Sequence, residues 1–392
     1  MYSTVLQIPA RSHLFHLEPI GINTGLIESL ASYIARLAQE HSLTPHILVK
    51  KEIAPLIGKY ISTSNQGRFS FQRNLNGMGA VAINFIQAIE ELTARTDLHC
   101  TTMIAWASVL PTISLFRHQK AWCPRCFENN KMSGQSVYDP LLWALAAISI
   151  CPTHKQPLVS SCHHCGKCLP IFAATSKPGH CNQCKRWLGT TSRTGILNTS
   201  KISNNDFRWQ LWKSNSISEI LAAAHLITPP TRNAVAESLE TCIRTIAWGQ
   251  VSGFASQIGI KRSVVKNWLN GLQLPTLETV LRICFKYKIS TRQFLCGNID
   301  NKGTLVKCFR KTDVSDAEKT LPCKPLLPNE VKLRLETAIN NYPPTQSLLT
   351  LQKNVKWSRK KLKNWFPDLC AKLIAHYGEF YRKPIDLKKQ DS

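Results

Sequence analysis

Apolar residues recur every three or four positions through much of the chain, which is the spacing of amphipathic helices. In residues 26–40 this stripe predicts a helix with Arg36 on its solvent side. Residues 80–93 predict a second helix, with Ile83, Ile86 and Ile89 in its buried stripe. The pattern therefore indicates a mainly α-helical fold, interrupted by short zinc-knuckle β elements that are described below.

Helical periodicity returns from residue 206 and predicts four consecutive helices, which cover 237–248, 254–259, 261–270 and the residues after Pro275. Gly259 falls between the second and third helices, where a tight turn needs a residue with positive φ. Gly271 follows the third helix as a stop signal. The arrangement resembles the repressor-type helix-turn-helix.

The third of these helices has one apolar face and one polar face. We expect the apolar face to hold it to the core through Val264, Val265, Trp268 and Leu269. The polar face would then present Lys261, Arg262, Ser263, Lys266, Asn267 and Asn270. Arg and Lys match guanine edges and Asn matches adenine, although each can hold a phosphate instead. The alternative is a helical bundle that docks another protein.

A second, weaker helix-turn-helix pattern lies near the C-terminus, in residues 347–354 and 358–366. We expect Leu362, Trp365 and Phe366 to face inward. The exposed face would be very basic, with DNA-binding candidates at Arg359, Lys360, Lys363 and Asn364. The alternative is a solvated charged helix.

Two four-ligand metal patterns follow each other between residues 123 and 184. The first consists of Cys123, Cys126, Cys151 and His154, and the second of Cys162, Cys165, Cys181 and Cys184. Ligands in two pairs, each with two residues between its members, are typical of closed tetrahedral zinc sites. The sequence therefore predicts two structural Zn²⁺ ions that leave no open position for chemistry.

The alternative is that these cysteines are buried thiols at chance spacing. Four such pairs within about sixty residues argue against chance. In the second pattern other side chains lie close enough to compete as ligands, namely His163, His164, Cys168 and His180. Between the halves of the first pattern, the aromatic and aliphatic residues 138–150 predict a helix.

Composition narrows the class of partner. The chain has 392 residues, 49 Lys and Arg against 24 Asp and Glu, and a net charge of +25, which suits a polyanion such as double-stranded DNA. The remaining cysteines are scattered, as thiols in a reducing cell would be. We find no signal-peptide pattern and no apolar run long enough for a membrane span. We therefore expect a cytoplasmic protein that does not bind a membrane and that is associated with the nucleoid when it binds DNA.

The length of the chain and its linker-like segments predict four regions. They are an N-terminal helical part (1–118), a double zinc-knuckle region (119–190), a helical domain with the helix-turn-helix (206–300) and a C-terminal basic module (330–392). The chain lacks the phosphate-binding loop of nucleotide hydrolases and the short signatures of serine hydrolases and zinc proteases. We therefore expect no enzyme activity.

The motifs together resemble a known family. The order Trp122, Cys-Pro-x-Cys126, Cys-Pro-x-His154, Cys162-x₂-Cys165-Gly and Cys181-x₂-Cys184 is similar to that of TniQ/TnsD proteins, and so is the N-terminal segment 28–38. The resemblance covers residues 14–190. It departs from the family's pattern at residues 19–24, where the turn before Glu28 is longer.

Members of this family select target sites for transposons, and the resemblance implies an AAA+ ATPase regulator, TnsC, as a partner. In one interpretation the chain reads an attachment site through its helix-turn-helix modules. In a second it bridges a CRISPR guide-RNA effector complex to TnsC, as in a CRISPR-associated transposon. In a third it is a zinc-containing transcriptional repressor. The sequence leaves self-association open in each case.

Overall fold

The computed structural model describes residues 11–58, 69–190, 204–299, 331–332, 335–336, 339, 362 and 364–381. The chain divides into two compact units, Met1–Phe309 and Arg310–Ser392. The described residues are mainly helical, with a single two-stranded sheet among them, which confirms the predicted fold class.

The N-terminal part of the first unit consists of helices α1 (Leu30–Glu40), α2 (Pro45–Leu48), a π-helical turn (Val49–Ile53), α3 (Ala54–Leu56) and α4 (Ala80–Thr93), followed by short 3₁₀ turns. Their apolar faces form one core. Helix α1 begins later than predicted because the Ser29 hydroxyl accepts a hydrogen bond from the Ser32 N–H and caps it.

Two predictions for this part are wrong in detail. Arg36 is buried, not on the solvent side, because the carboxylate of Glu28 neutralises it inside the fold. Ile83 is 39% exposed, while Phe85, Ile86 and Ile89 are buried. The buried stripe of α4 is thus rotated by a fraction of a turn from the one that the isoleucines alone suggest.

The cysteine-rich part contains α5 (Pro124–Met132), α6 (Leu141–Ala144) and the antiparallel pair β1 (Ile150–Cys151) and β2 (Gln156–Pro157). The helix predicted over residues 138–150 is wrong, because only α6 is helical there. Two isolated β-bridges pair this stretch with segments that are distant in sequence, one between Glu28 and Pro140 and one between Phe116 and Leu145. Its backbone hydrogen bonds therefore go to distant residues instead of to a local helix.

In residues 204–299, the other described part of the first unit, six helices form a bundle: α7 (Asn204–Ala223), α8 (Ala234–Ile246), α9 (Val251–Gln257), α10 (Arg262–Leu269), α11 (Leu277–Tyr287) and α12 (Thr291–Cys296). Helix α7 packs against β1 and α6 on one side and against α11 and α12 on the other. The hydroxyl of Ser214 on α7 donates to the carbonyl of Ile150, at 2.8 Å. One apolar core runs through the cysteine-rich part and this bundle.

In the second unit, helix α13 (Pro367–Tyr381) and the described residues before it share a small apolar cluster, formed by Val331, Leu335, Leu362, Cys370 and Leu373. Trp365 was predicted to face inward, but it is 56% exposed. The buried stripe runs through Leu362 and Cys370, which leaves position 365 at its edge. Most of the predicted second helix-turn-helix, including Arg359, Lys360 and Lys363, lies outside the described residues.

Within the described residues, none of the helices has both the length and the apolar character needed to cross a membrane.

Candidate metal centres and nucleic-acid interface

The first predicted metal set comes together in space. Cys123, Cys126, Cys151 and His154 place one potential ligand atom each within 4.8 Å of the others. Cys123 immediately precedes α5 and Cys126 lies in its first turn, while Cys151 ends β1 and His154 lies in the β1–β2 turn. The first knuckle therefore opens a helix, whereas the second is a hairpin turn.

The spacing of these atoms can be compared with a tetrahedral zinc site. Metal–sulfur bonds of about 2.3 Å at tetrahedral angles separate the ligand atoms by about 3.8 Å. The Cys126 and Cys151 sulfurs are 3.6 Å apart, and Nδ1 of His154 is 3.5 Å from the Cys123 sulfur and 3.2 Å from the Cys126 sulfur. The four atoms thus surround a space of the size that one small metal ion requires.

Outer residues support the first set. Nδ1 of His154 points toward the sulfurs, and its Nε2 is 2.9 Å from the side-chain amide of Asn129 on α5. The amide atom at this distance is the Asn129 nitrogen. A metal on Nδ1 would leave the ring proton on Nε2, and the Asn129 amide, flipped so that its oxygen takes the place of its nitrogen, would accept that proton. The side-chain amide of Gln156 donates to the Cys123 sulfur at 3.3 Å. Neither residue belonged to the sequence pattern.

The protonation of this set also suits a cation. Hydrogen bonds with Cys126 and Cys151 lower the pKa of the Cys123 thiol to about 2. The contact with Cys123 raises the pKa of Cys126 and, to about 11, that of Cys151. A second thiolate among these sulfurs would be repelled by the first, and a bound cation would remove that repulsion.

The second set is built from two similar turns. Cys162, Cys165, Cys181 and Cys184 also bring their sulfurs within 4.8 Å of one another. The Cys162–Cys184 and Cys165–Cys181 sulfur distances are 3.7 and 3.8 Å, close to the tetrahedral value. In each turn a backbone N–H donates to the first sulfur at 3.4 Å, from His164 to Cys162 and from Gln183 to Cys181. Both sets could hold a metal ion, and their donors are those of structural zinc sites.

The side chains that could have competed for the second set all lie outside it. Nε2 of His164 is 3.1 Å from the carbonyl of Trp187, and Nδ1 of His180 is 3.2 Å from that of Pro178. Cys168 is exposed and outside the four-sulfur set. The geometry therefore groups the four predicted cysteines.

Three of the four knuckles share a left-handed residue after their second ligand. These are Lys155, Gly166 and Lys185, with φ of 49°, 68° and 63°. Each donates its backbone N–H to the carbonyl of the first ligand in its turn, at 2.8 to 2.9 Å. Glycine adopts this conformation at little cost, whereas a lysine pays about 1–2 kcal/mol for it.

The predicted helix-turn-helix is formed by α9 and α10, joined by a turn in which Gly259 has φ of 69°. Val265 and Trp268 of α10 are buried against α8 and α9, as the apolar pattern predicts. The opposite face exposes Lys261, Arg262, Ser263, Lys266 and Asn270. The first helix of the module ends two residues earlier than predicted, at Ile246.

Asn267 differs from the other polar residues of α10. It is only half exposed, and its backbone carbonyl accepts from Leu272 and Gln273 at 2.9 and 3.2 Å. These bonds fix the turn after α10. The backbone of Asn267 therefore has a structural role in addition to any contact that its side chain makes. In the second unit, the candidate Asn364 is exposed.

Comparison with known proteins bears on the N-terminal two fifths of the chain. Residues 19–158 match the TniQ family. The chain carries a TniQ domain. The matched segment contains α1 to α6 and the whole first metal set, and a TniQ domain indicates a function associated with transposition. No curated protein matches the chain.

The TniQ domain is held together by a buried polar network that sequence patterns did not reveal. Glu28 is fully buried; its carboxylate accepts from Arg36 Nη2 at 2.7 Å and from the Ser32 hydroxyl at 2.9 Å. The same hydroxyl accepts from the backbone N–H of Asp139, at 2.9 Å, and the Asp139 carboxylate pairs with Lys120 at 2.6 Å. The network therefore connects α1 to the cysteine-rich part. Its only signal in the sequence is a carboxylate between apolar residues, eight positions before an arginine.

Proposed function

We propose that this chain is a target-site selector for transposition: it binds double-stranded DNA through its helix-turn-helix and recruits an AAA+ regulator, TnsC, that directs the transposase. The observation that carries the proposal is the outward face of α10, which is polar and cationic on a helix whose other face is buried. In a helix-turn-helix, that helix lies in the major groove with its N-terminal residues at the base edges.

Charge supports DNA as the ligand of α10. No acidic residue occurs between Glu240 and Glu278, a stretch that includes α9, α10 and both adjoining turns. The cations Lys261 and Arg262 lie at the N-terminal end of α10, and Lys266 follows one turn later. An acid-free surface of this kind attracts phosphates, whereas a surface for docking another protein commonly mixes both signs.

The two cysteine-rich sets are proposed to hold one Zn²⁺ each. When bound, such an ion contributes folding free energy and no reactive ligand, because all four positions belong to the protein. The residues that would hold it connect α5 to the β1–β2 hairpin in one case and two similar turns in the other. The metal would therefore stiffen the TniQ domain and the residues after it as a platform for the regulator.

The recruitment step rests on the TniQ domain. Its N-terminal core and the cysteine-rich part are separate from the cationic face of α10 along the chain, so one molecule could hold DNA and a regulator together. That is what a target selector requires. The proposed regulator is TnsC.

The experiment that tests DNA reading is selection of duplexes from a random library by the full chain at near-physiological salt, where phosphate contacts alone are weak. An enriched motif that Arg262→Ala or Lys266→Ala weakens would support direct readout by α10. Arg282→Ala is a control, because Arg282 is also an exposed arginine but lies on α11, where it pairs with Glu278. The same chain, on an enriched duplex, should retain purified TnsC.

Two outcomes would replace the proposal. Absence of any enriched motif, together with retention of TnsC, would favour an adaptor that follows a CRISPR guide-RNA complex. An enriched motif without retention of TnsC would favour a transcriptional repressor. In either case the α10 variants separate a lost DNA contact from a lost partner.

A further inference from the structure

Trp248 stands out among the apolar residues of the first unit. Its side chain is 89% exposed, more than any other large apolar side chain in the described residues. Its backbone is in the left-handed region, with φ of 51°, and Gly249 follows with φ of 79°. A bulky residue rarely adopts this conformation, which costs about 1–2 kcal/mol.

The turn does not need this side chain. It is closed by backbone bonds alone, from the N–H of Gly249 to the carbonyl of Ile243 at 3.0 Å and from Gln250 to Ala247 at 2.8 Å. Within the described part of the chain, no hydrogen bond or ring contact holds the indole. A glycine at this position would form the same turn with less strain. The fold itself therefore does not require a tryptophan at this position, whereas contact with a ligand would explain one.

The position of Trp248 points to the ligand. Helix α9 starts three residues later and is seven residues long, about 10 Å at the rise of an α-helix. Its far end leads through Gly259 into α10. When α10 lies in a major groove about 12 Å wide, the helix before it crosses the DNA backbone. The start of α9, with Trp248, is then placed over the flanking sugar–phosphate strand.

The surroundings of the indole suit that strand. Arg244 is exposed in the last turn of α8, four residues before Trp248, and the next acidic residue along the chain is Glu278. An indole offers a flat apolar face and one N–H donor. A deoxyribose and its phosphate present an apolar ring beside a charged acceptor, so both properties of the indole would be used.

We propose that Trp248 is a DNA-backbone contact, packing on a deoxyribose and donating its indole N–H to a phosphate with Arg244 beside it. This rests on the proposed binding of DNA by α10 and adds a second contact point that is independent of base sequence. The pair fixes how α9 is seated over the strand, and thereby the register of α10 in the groove.

The test compares Trp248→Gly and Trp248→Phe in the full chain, with Leu226→Ala, in the turn after α7, as an exposed apolar control. Binding to a short mixed-sequence duplex is measured by fluorescence anisotropy, and folding by thermal denaturation. We expect Trp248→Gly to weaken binding by about tenfold or more, the loss of one hydrogen bond to a charged group. Its melting temperature should stay the same or rise, since glycine relieves the left-handed strain. Trp248→Phe, which retains the ring but loses the N–H, should lie between.

A second measurement follows the fluorescence of the Trp248 indole itself. The difference in acrylamide quenching between wild type and Trp248→Phe isolates the emission of this exposed indole, and duplex DNA should protect it. Wild-type affinity in Trp248→Gly, with weakened binding in Arg262→Ala, would overturn the Trp248 contact and leave DNA binding by α10 intact. Unchanged affinity in all these variants would overturn both. Loss of TnsC retention alone would assign Trp248 to a protein surface and also overturn the proposal.

Discussion

Replacing Glu28 by alanine should destabilise the TniQ domain more than any exposed substitution in α1. The Glu28 carboxylate is fully buried and accepts from Arg36 at 2.7 and 3.1 Å, from the Ser32 hydroxyl and from the backbone N–H of Ile20. Arg36 is itself only 7% exposed. Removing the carboxylate therefore leaves a guanidinium inside the protein without its counter-charge.

Loss of one partner from a buried ion pair costs about 3–5 kcal/mol, mainly because the other charge stays buried. Total stabilities of single domains are about 5–15 kcal/mol, so Glu28→Ala removes a large share. The double variant Glu28→Ala/Arg36→Met removes both charges and keeps part of the packing of Arg36. It should be more stable than Glu28→Ala alone, although fewer native contacts remain.

Urea denaturation of the full chain, followed by circular dichroism, measures the free energy of unfolding of the wild type, of Glu28→Ala and of the double variant. Glu40→Ala, at the exposed end of α1, is the matched control and should change stability by less than about 0.5 kcal/mol. The reasoning is refuted if Glu28→Ala costs less than about 1 kcal/mol, or if the double variant is the less stable of the two.

Three further results are expected. Cys123→Ser and Cys162→Ser should each lose one equivalent of zinc and become insoluble, because a structural site supplies about 10–16 kcal/mol; full zinc content in soluble protein, measured by atomic absorption, would contradict the assignment. Asn129→Ala should lower zinc affinity up to about tenfold in a chelator competition, since water can replace part of its bond to His154; an unchanged affinity would mean that the amide does not orient the ring. Lys155→Gly should leave stability equal or raise it by up to about 1 kcal/mol, because its φ is 49°; a clear loss in thermal denaturation would show that its side chain is needed.

Sequence patterns predicted those parts of the fold in which local signals agree. Residues 80–93 form α4 with the predicted bounds, and the turns at Gly259 and Gly271 lie where glycine was expected to stop a helix. The eight metal-ligand candidates group into two sets because their spacing is itself the geometric constraint. In these places the information lies within a few residues of the chain.

The errors arise where distant residues decide. Residues 138–150 have the composition of a helix, yet bridges to residues near 28 and 116 take up their backbone groups. Arg36 looks like a surface residue until the buried carboxylate of Glu28 is known. The roles of Asn129 and Gln156 depend on how α5 and β2 approach the first metal set, which their own sequence cannot show.

Helix α7 has a thermodynamic consequence for the whole first unit. It contacts the strand that carries Cys151 on one side and the helices that support the helix-turn-helix on the other. A metal ion that stabilises this strand therefore also stabilises the position of α7. Through α7 it stabilises the helices that support α10. Linkage is reciprocal: if zinc strengthens the binding of DNA, bound DNA must strengthen the binding of zinc by the same free energy. Occupancy of the first metal set would then depend on whether DNA is bound at α10.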